Sequence, residues 1–519
     1  LNGLDLNVTE MKKQLADLDA RVTILEKNKP TYKITGDADL AVLAGHSEGD
    51  PHYGIMHDGS LTGYNRASAG GGPVGLSKDL TVLHNLALHV TTTAEEGPKL
   101  NATLVVGNVL DTLGRSSATR AQQFPTYANF QDANTDVYFQ ELNATWNASL
   151  VGQGVSAKLG RFGWQAGKYL YQRPAYSSQY YSDQYRDNGD YSIDGVALGF
   201  GFGKGALTVL FGRNSNLKSN NGVDFNAVNL GANTAMPGAA ATVDTTTGIT
   251  LNFPIGEVGK LNLAYLLHDS FGSINGTTTS FAPGGAFAGT ANRIQTWGAD
   301  ATFKFNNIDF GAAYSKGTWF DNNSSKLDTD NAAWDINAKF NVSSVKLGAG
   351  YRRVERNFAA LADTGRFGTY WNPRNFEGWN VNASFNPTTD VEVYGKGEFV
   401  KGLGAAGFFA SPLNTTNDKI DSFLVGVNFK MNVFDVGLSY EDVKFQTAAN
   451  PVDTRQKWYT LGVGYSMSPN SKLSIKYIYS DANFGGMVTN VPGNGGGTAP
   501  SQDGIFRGGL LATQLSIKF

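Results

Sequence analysis

Few residues of this chain have the types and spacing that chemistry requires. Residues 45–49, GHSEG, match the G-x-S-x-G pattern of a serine nucleophile. That nucleophile must sit on a strand-to-helix turn, whereas Pro51 and its neighbours begin a polar loop. We interpret the match as chance. No Ser, His and carboxylate set can be placed on neighbouring strands, so we predict that the protein is not an enzyme.

Two loops contain groups that could bind a metal ion. The first long loop has three histidines and three carboxylates, namely His46, His52, His57, Glu48, Asp50 and Asp58. No two of them share a regular element, which favours a solvated loop. The DNGD segment at 187–190 lacks the spacing of an EF-hand. We predict no cofactor, with calcium or another metal ion in a surface loop as the alternative.

The loop over residues 165–191 is unusually aromatic for a surface connection. One interpretation is that it folds inward as a constriction, where its charged side chains would set the local field. The other is that its tyrosines pack against neighbouring loops or a partner subunit. The candidate constriction residues are Lys168, Tyr171, Arg173, Tyr176, Tyr180, Tyr181, Tyr185, Arg186 and Asp187.

The elements that would position these loops are alternating apolar and polar segments of ten to fifteen residues. We count twenty of them from residue 32 onward, the eighteenth over 457–467. Tight connections such as 306–307 and 343–344 alternate with long polar ones such as 215–242. Long loops therefore emerge at one end and tight turns at the other, as in transmembrane β-barrels. We predict an all-β, antiparallel up-and-down barrel of about twenty strands, with 18 to 22 as the range.

Within each segment one face is apolar and the other polar, as in Trp297 to Phe305. Twenty strands would enclose an interior too wide for side chains to fill, so the polar face must line it and the apolar face must meet lipid. The residues expected on the lumen side include both positive and negative side chains, so they predict no ion preference. The predicted pore-lining residues are Asp300, Lys304, Asp309, Asp335, Lys339, Lys346, Arg352, Lys396, Glu398, Lys430, Glu441 and Lys476.

Outward aromatic residues recur just before the tight turns, where a periplasmic girdle would meet the membrane interface. The predicted girdle is Phe253, Phe305, Phe340, Phe385, Phe429 and Phe519. The final segment, LLATQLSIKF, alternates and ends in Phe519. Such an ending is similar to the assembly signal of outer-membrane barrels.

Bulk composition agrees with a barrel and excludes other classes. The chain has 519 residues with 63 Gly, 31 Phe, 22 Tyr and no Cys, and it contains no run of eighteen apolar residues. A helical membrane protein is therefore excluded. A net charge of −3 offers no basic surface for nucleic acid.

Residues 1–30 differ from the rest, because their apolar positions alternate spacings of three and four. That is the a/d seam of a coiled coil. The alternative is an amphipathic helix packed on its own barrel. The spacing does not specify oligomer number. The seam residues are Leu1, Leu4, Val8, Met11, Leu15, Leu18, Val22 and Leu25.

A heptad helix leading directly into a barrel, QLADLDARVTILEKNKPTYKITGDADLAV, resembles the S-layer-homology porins that tether the outer membrane. These are the SlpA and OmpM types of Deinococcus and Thermus, Negativicutes and cyanobacteria. The resemblance covers roughly residues 5 to 45 and the general barrel pattern. It implies a homotrimeric pore over 31–519 and a periplasmic stalk over 1–30. It also implies a wall-binding domain upstream, which this chain lacks.

We therefore expect an outer-membrane porin through which ions and small hydrophilic solutes diffuse, with membrane lipid around it and long loops at the cell surface. The second interpretation is structural: an envelope or S-layer anchor in which the pore is incidental or closed. The globular N-terminal plug of an active transporter is replaced here by the heptad segment.

Overall fold

The computed structural model describes residues 13, 16, 18, 32–48, 53–57, 61–65, 72–73, 80–92, 97–108, 135–150, 153–172, 188–214, 243–269, 291–321, 326–358, 361–405, 412–448, 450–484 and 504–519. Of the predicted coiled coil it therefore covers only Leu18 among the seam residues, together with Lys13 and Ala16, each with helical backbone. The other seam residues lie outside this part of the chain, so the coiled coil stays a prediction.

Twenty long strands account for most of the described chain. They are β1 (Tyr32–Ser47), β2 (Leu80–Thr92), β3 (Lys99–Gly107), β4 (Asp136–Leu150), β5 (Gln153–Trp164), β6 (Tyr191–Phe202), β7 (Gly205–Asn214), β8 (Thr245–Ile255), β9 (Gly259–Asp269), β10 (Ala291–Phe305), β11 (Ile308–Asp321), β12 (Ala332–Val342), β13 (Val345–Val354), β14 (Phe376–Thr388), β15 (Val391–Gly402), β16 (Lys419–Met431), β17 (Phe434–Thr447), β18 (Asn450–Ser468), β19 (Ser471–Asn483) and β20 (Ile505–Lys518).

Every one of these strands pairs antiparallel with its neighbour in sequence, and β20 pairs with β1 to close the sheet. At the seam Ala41 lies opposite Gln514 and Asp37 opposite Lys518. The predicted strand number and antiparallel meander are confirmed. A closed sheet of this size leaves a lumen that its own wall cannot fill.

The two ends of the barrel carry different connections. The turn end has short links, and three of them begin with Asn306, Ser343 and Asn432 at φ of 52°, 54° and 56°. Asparagine tolerates this left-handed conformation better than most residues, which suits it to a tight reversal. The loop end carries the long links. An exception is the β17 to β18 hairpin, where Thr447 already pairs with Asn450, so β18 begins seven residues before the predicted 457.

The outward face of the barrel is apolar and exposed. Ile336 and Trp379 are each 59% exposed, and Phe305 is 50% exposed. Soluble monomers rarely leave a continuous apolar surface uncovered, so this face requires an apolar surrounding.

The core of the protein lies inside the barrel, toward the loop end. Three segments fold into the lumen there, which we call loop A (53–57), loop B (165–172) and loop C (the described residues 355–358 and 361–375). Met56, Tyr169 and Phe367 from these loops join one buried cluster with wall residues such as Trp458 and Phe376. Loop residues and strand side chains therefore pack together in the loop-end part of the lumen.

Among the residues described above, no helix is long and apolar enough to cross a membrane.

Candidate functional site: the lumen

Loop B crosses the lumen close against the wall. The Asn262 side-chain amide on β9 donates a hydrogen bond to the carbonyl of Ala166, and Gly167 faces the carboxylate of Asp300 on β10. Any Cβ at Gly167 would lie 1.9 Å from Asp300 Oδ2, and the backbone φ there is 146°. Both the space and the conformation require glycine at this position.

Tyr171 anchors the far end of loop B. Its hydroxyl donates a 2.8 Å hydrogen bond to Asn214 Oδ1 on β7, and its ring stacks on His268. The side chain is fully buried, and burial raises the pKa of the Tyr171 hydroxyl well above its ordinary value. The neutral hydroxyl can therefore act as a donor across the whole accessible pH range.

Lys168 and Tyr169 place loop B against the next part of the wall. Lys168 Nζ lies 3.2 Å from Asp335 Oδ2 on β12 and 4.9 Å from the ring centre of Tyr169. Tyr169 is completely buried, and burial, followed by the nearby Asp335 carboxylate, raises the pKa of its hydroxyl. Loop B thus brings one cation and one neutral phenol to a carboxylate on the wall.

Loop C joins loop B inside the lumen. The Gln172 amide donates to the Leu361 carbonyl at 2.8 Å, and the Asp363 amide donates to the Lys168 carbonyl at 2.9 Å. Tyr171 and Leu361 form a parallel bridge. Since each loop holds the backbone of the other, the two form one inward unit.

Arg352 on β13 is the wall group that holds loop C. One guanidinium nitrogen donates to the Thr364 carbonyl at 2.7 Å, and another lies 2.6 Å from Glu398 Oε2 on β15. Phe367 and Phe376 contact each other at 5.1 Å, and their ring centres lie 5.3 and 5.0 Å from the guanidinium carbon. The charge is buried, paired and in contact with an aromatic pair.

Glu441 on β17 receives both loop A and loop C. Its two carboxylate oxygens each lie 2.9 Å from Arg366 Nη2, and His57 Nε2 lies 3.0 Å from Oε2. Trp458 stacks on the His57 ring at 4.2 Å and donates through Nε1 to the Ile55 carbonyl. One wall carboxylate therefore fixes two loops at once.

The structure divides the predicted pore-lining residues into two groups. Five of them contact another polar group of the site. Asp335, Arg352 and Glu441 contact the inward loops, Asp300 lies beside the Asn262 amide, and Glu398 pairs with Arg352. The others have exposed or half-buried side chains on the same inward face: Lys304, Asp309, Lys339, Lys346, Lys396, Lys430 and Lys476. Their pore-lining role remains a prediction.

Of the candidate constriction residues, Lys168 and Tyr171 lie inside the lumen as described. The remaining ones, Arg173, Tyr176, Tyr180, Tyr181, Tyr185, Arg186 and Asp187, fall outside the described residues. The packing of loop B contains elements of both interpretations: it enters the lumen, and it packs against loop C. Whether it sets the constriction remains a prediction.

Sequence reasoning missed several residues of this site. Asn214 and Asn262 are wall anchors for loop B, and Arg366 is the loop C contact of Glu441. No spacing rule singles out one amide among the polar residues of the wall, or one arginine on an inward loop. From the sequence, His57 is only a candidate metal ligand. In the described part of the chain no group of three or more His, Asp or Glu side chains could hold a metal ion. His46 instead lies 2.7 Å from the Tyr477 hydroxyl.

The outward face carries aromatic residues near both ends. The predicted girdle residues Phe253, Phe305, Phe340, Phe385 and Phe519 are exposed beside the turn end, and Phe429 is half-buried. A second band, not predicted, follows the loop end across eleven consecutive strands, β9 to β19. This upper girdle consists of Tyr265, Trp297, Tyr314, Trp334, Tyr351, Trp379, Phe399, Phe423, Tyr440, Tyr459 and Tyr477.

Comparison with known proteins gives one family match. A family described as Gram-negative porin matches residues 256–486, which run from the turn after β8 to just past β19. No curated protein matches the chain.

Several solved outer-membrane channels are similar over nearly the whole length. OccAB4 of Acinetobacter baumannii is 13% identical, with 95% of this chain and 100% of that chain covered and a TM-score of 0.44. OccK5 (OpdH) of Pseudomonas aeruginosa is 8% identical, with 94% and 98% covered and a TM-score of 0.43. The channel DcaP of A. baumannii is 9% identical, with 94% and 97% covered and a TM-score of 0.36. The strand pairing, and not these likenesses, establishes the barrel.

Proposed function

We propose that this protein is an outer-membrane porin, a non-enzymatic channel for passive diffusion of ions and small hydrophilic solutes. The observation that carries the proposal is a closed twenty-stranded barrel with an apolar exposed exterior and a polar interior. In water the exterior would be unstable, whereas in a bilayer it is matched by lipid. The Gram-negative porin match over 256–486 supports the same assignment.

The membrane would surround the band between the two aromatic girdles. Tyr and Trp prefer the interface between hydrocarbon and water, and Tyr351 and Trp379 occupy such positions on neighbouring strands. Outside the upper girdle the outward residues become charged, as in the ion pair of Arg353 with Glu377 at 3.3 Å. We place the turn end and the N-terminal stalk in the periplasm and the loop end at the cell surface.

We further propose that the protein is a homotrimer through its first strands. The upper girdle has Tyr or Trp on nine of the strands β9 to β19, whereas the described outward positions near the loop end of β20 and β1 to β8 carry none, and their exposed aromatic residues include Phe139 and Phe211. Aliphatic residues such as Leu40 and Val82 occupy that sector. A surface buried between subunits does not need an interfacial girdle. Chemical cross-linking in a mixture of the single-cysteine variants L40C and V82C would test this contact, because the two positions lie on paired strands of one chain and a chain with both cysteines could link within itself.

Planar-bilayer recording tests the channel function directly. Purified protein should give stepwise conductance increments, and vesicles carrying it should swell in small sugars. Protein that is inserted and heat-modifiable but gives no steps would contradict diffusion.

A structural anchor is the second candidate function, favoured by the heptad seam over residues 1–30. In that case an upstream wall-binding domain would link the barrel to the cell wall through the stalk. Removing the stalk from the native protein should then detach the outer membrane while leaving conductance unchanged. A normal envelope after that deletion would reject the anchor.

A further inference from the structure

The inward face of the barrel carries lysines that form no close ion pair within the described part of the chain. Six of them lie on the arc from β9 to β16: Lys260, Lys304, Lys339, Lys346, Lys396 and Lys430. All six side chains are exposed, and the described residues offer none of them an ion pair. We call these six the lysine crescent.

Strand alternation places the crescent in the lumen. Lys339 is on the same face of β12 as Asp335, which meets loop B inside the barrel, while Ile336 and Phe340 on the other face are exposed outward. Lys260 likewise shares a face with Asn262, which reaches loop B. The exposed ammonium groups therefore meet lumen water and not lipid.

The register brings the crescent close together near the turn end. Lys260 lies opposite Thr302, two residues from Lys304, and Asp309 lies opposite both Lys304 and Lys339 on its two neighbouring strands. Since adjacent strands are about 4.8 Å apart, the fields of these lysines overlap at 0.1 M salt, where the Debye length is about 10 Å. Asp309 lies among these lysines, and Lys430 lies opposite Asp435 on β17, so a passing ion meets a surface on which lysines outnumber carboxylates.

The carboxylates of the same arc, in contrast, have partners. Asp335 and Glu398 pair with Lys168 and Arg352, while Glu392 accepts a hydrogen bond from Asn428 at 3.1 Å. Asp309 accepts one from Asn341 at 3.4 Å. On the inward strand positions of the arc, seven cationic side chains, the crescent and Arg352, face five carboxylates, the fifth being Asp300.

The inward carboxylates of the opposite arc also have neighbours, and Asp39 accepts hydrogen bonds from Gln514 and Ser516. Asp37 and Asp435 lie 2.7 Å from His89 and 2.9 Å from Lys472. Glu441 is paired with Arg366 at 2.9 Å. Glu141 shares a cavity with Lys158. A chain with a net charge of −3 thus directs unpaired positive charge toward its lumen.

We infer that the lumen is selective for small anions, both inorganic anions and carboxylates. The lysine crescent is the surface that attracts them. This rests on the proposed channel function and names its substrate class. Fixed charges along a water-filled pore raise the local concentration of counter-ions. No defined ligand pocket is needed, because the crescent acts as a surface and not as a coordination site.

The test is the reversal potential of the full-length channel in a KCl gradient. Chloride should be about threefold to tenfold more permeant than potassium near 0.1 M, and the preference should fall toward parity at 1 M, where the Debye length is about 3 Å. The triple variant K304E, K339E and K346E should reverse the preference toward potassium. If it forms no channels, the glutamine triple should bring the ratio close to one.

Two controls isolate the crescent. The arginine triple at the same three positions retains charge and should retain anion preference. K419E changes an exposed lysine on the outward face of β16 at the loop end and should not alter the ratio. Channels in which chloride is no more permeant than potassium would overturn the inference alone. Failure of the wild-type protein to form any channel would overturn the proposed function, and this inference with it.

Discussion

Replacing Arg352 by methionine should release loop C from the wall. Methionine keeps much of the length of the side chain but removes the hydrogen bond to Thr364 and the ion pair with Glu398. The guanidinium side chain is 6% exposed, so solvent does not screen these contacts strongly.

The cost can be worked out from the contacts that are lost. Breaking a fully buried ion pair by removing one partner costs about 3–5 kcal/mol, and the lower end applies here because Glu398 is 31% exposed. The two adjacent rings add about 0.5–2 kcal/mol of cation–π interaction. Every 1.4 kcal/mol is a tenfold change in an equilibrium. The undocked population of loop C should therefore rise by at least about a hundredfold in R352M, even when part of the loss is recovered by water.

Single-channel recording measures this change. Because loop C is hydrogen-bonded to loop B, its release should widen the lumen, with larger conductance steps and more open-channel noise. The matched control is K346M, on the same strand and the same inward face but without a described partner and away from the loops. As the loss of one crescent lysine it should lower the preference for chloride, but it should not enlarge the conductance steps or raise the noise. If R352M recorded like K346M, the assignment of Arg352 as the anchor would be wrong.

Three further predictions concern the loops. G167V should displace loop B and change the size of the conductance steps, because its Cβ would collide with the Asp300 carboxylate on β10. G404V is the control, since Gly404 has a similar φ of 145° but open space around it. Y171F should weaken the docking of loop B by about 1 kcal/mol, because the hydrogen bond to Asn214 is lost. Hydrogen exchange over 165–172 should then be faster. Unchanged exchange would refute the role of Tyr171 as an anchor. Asp418 accepts amide hydrogen bonds from 414, 415 and 448 that lower its pKa against the opposing effect of burial. These hydrogen bonds therefore stabilise the folded segment fully above the pKa of Asp418 in the unfolded state, about 3.9. The stabilisation is lost as the pH falls through the lower pKa of the folded state. D418N should accordingly speed exchange over 412–418 at pH 7, and this difference should shrink below pH 4; an equal difference at both pH values would refute it.

The strand framework could be predicted from sequence because each strand repeats one physical constraint. Ile336 and Phe340 must meet an apolar surrounding and Asp335 and Lys339 water, so the two-residue period fixes which face is inward. Every predicted segment is a strand in the structure. The start of β18 differs, because the chain reverses between Thr447 and Asn450, within residues whose sequence predicts a loop.

The inward loops could not be predicted with the same certainty, because their positions depend on partners far away in sequence. Arg366 finds Glu441 across 75 residues, and His57 finds the same group across 384. No local pattern encodes such a meeting. The abundance of tyrosine in loop B was a usable signal that the segment is buried, but it did not specify Asn214 as the partner of Tyr171.

The seam between β1 and β20 has a consequence for how the molecule assembles. All other wall pairings join strands that follow one another, while contacts at the seam, such as Gln514 with Asp39, span 475 residues. Closing so long a loop carries a high entropic cost and is slow. Until it closes, two unpaired strand edges are available to other chains. The growing barrel therefore needs a helper or a protected surface that covers both edges until the final strand arrives.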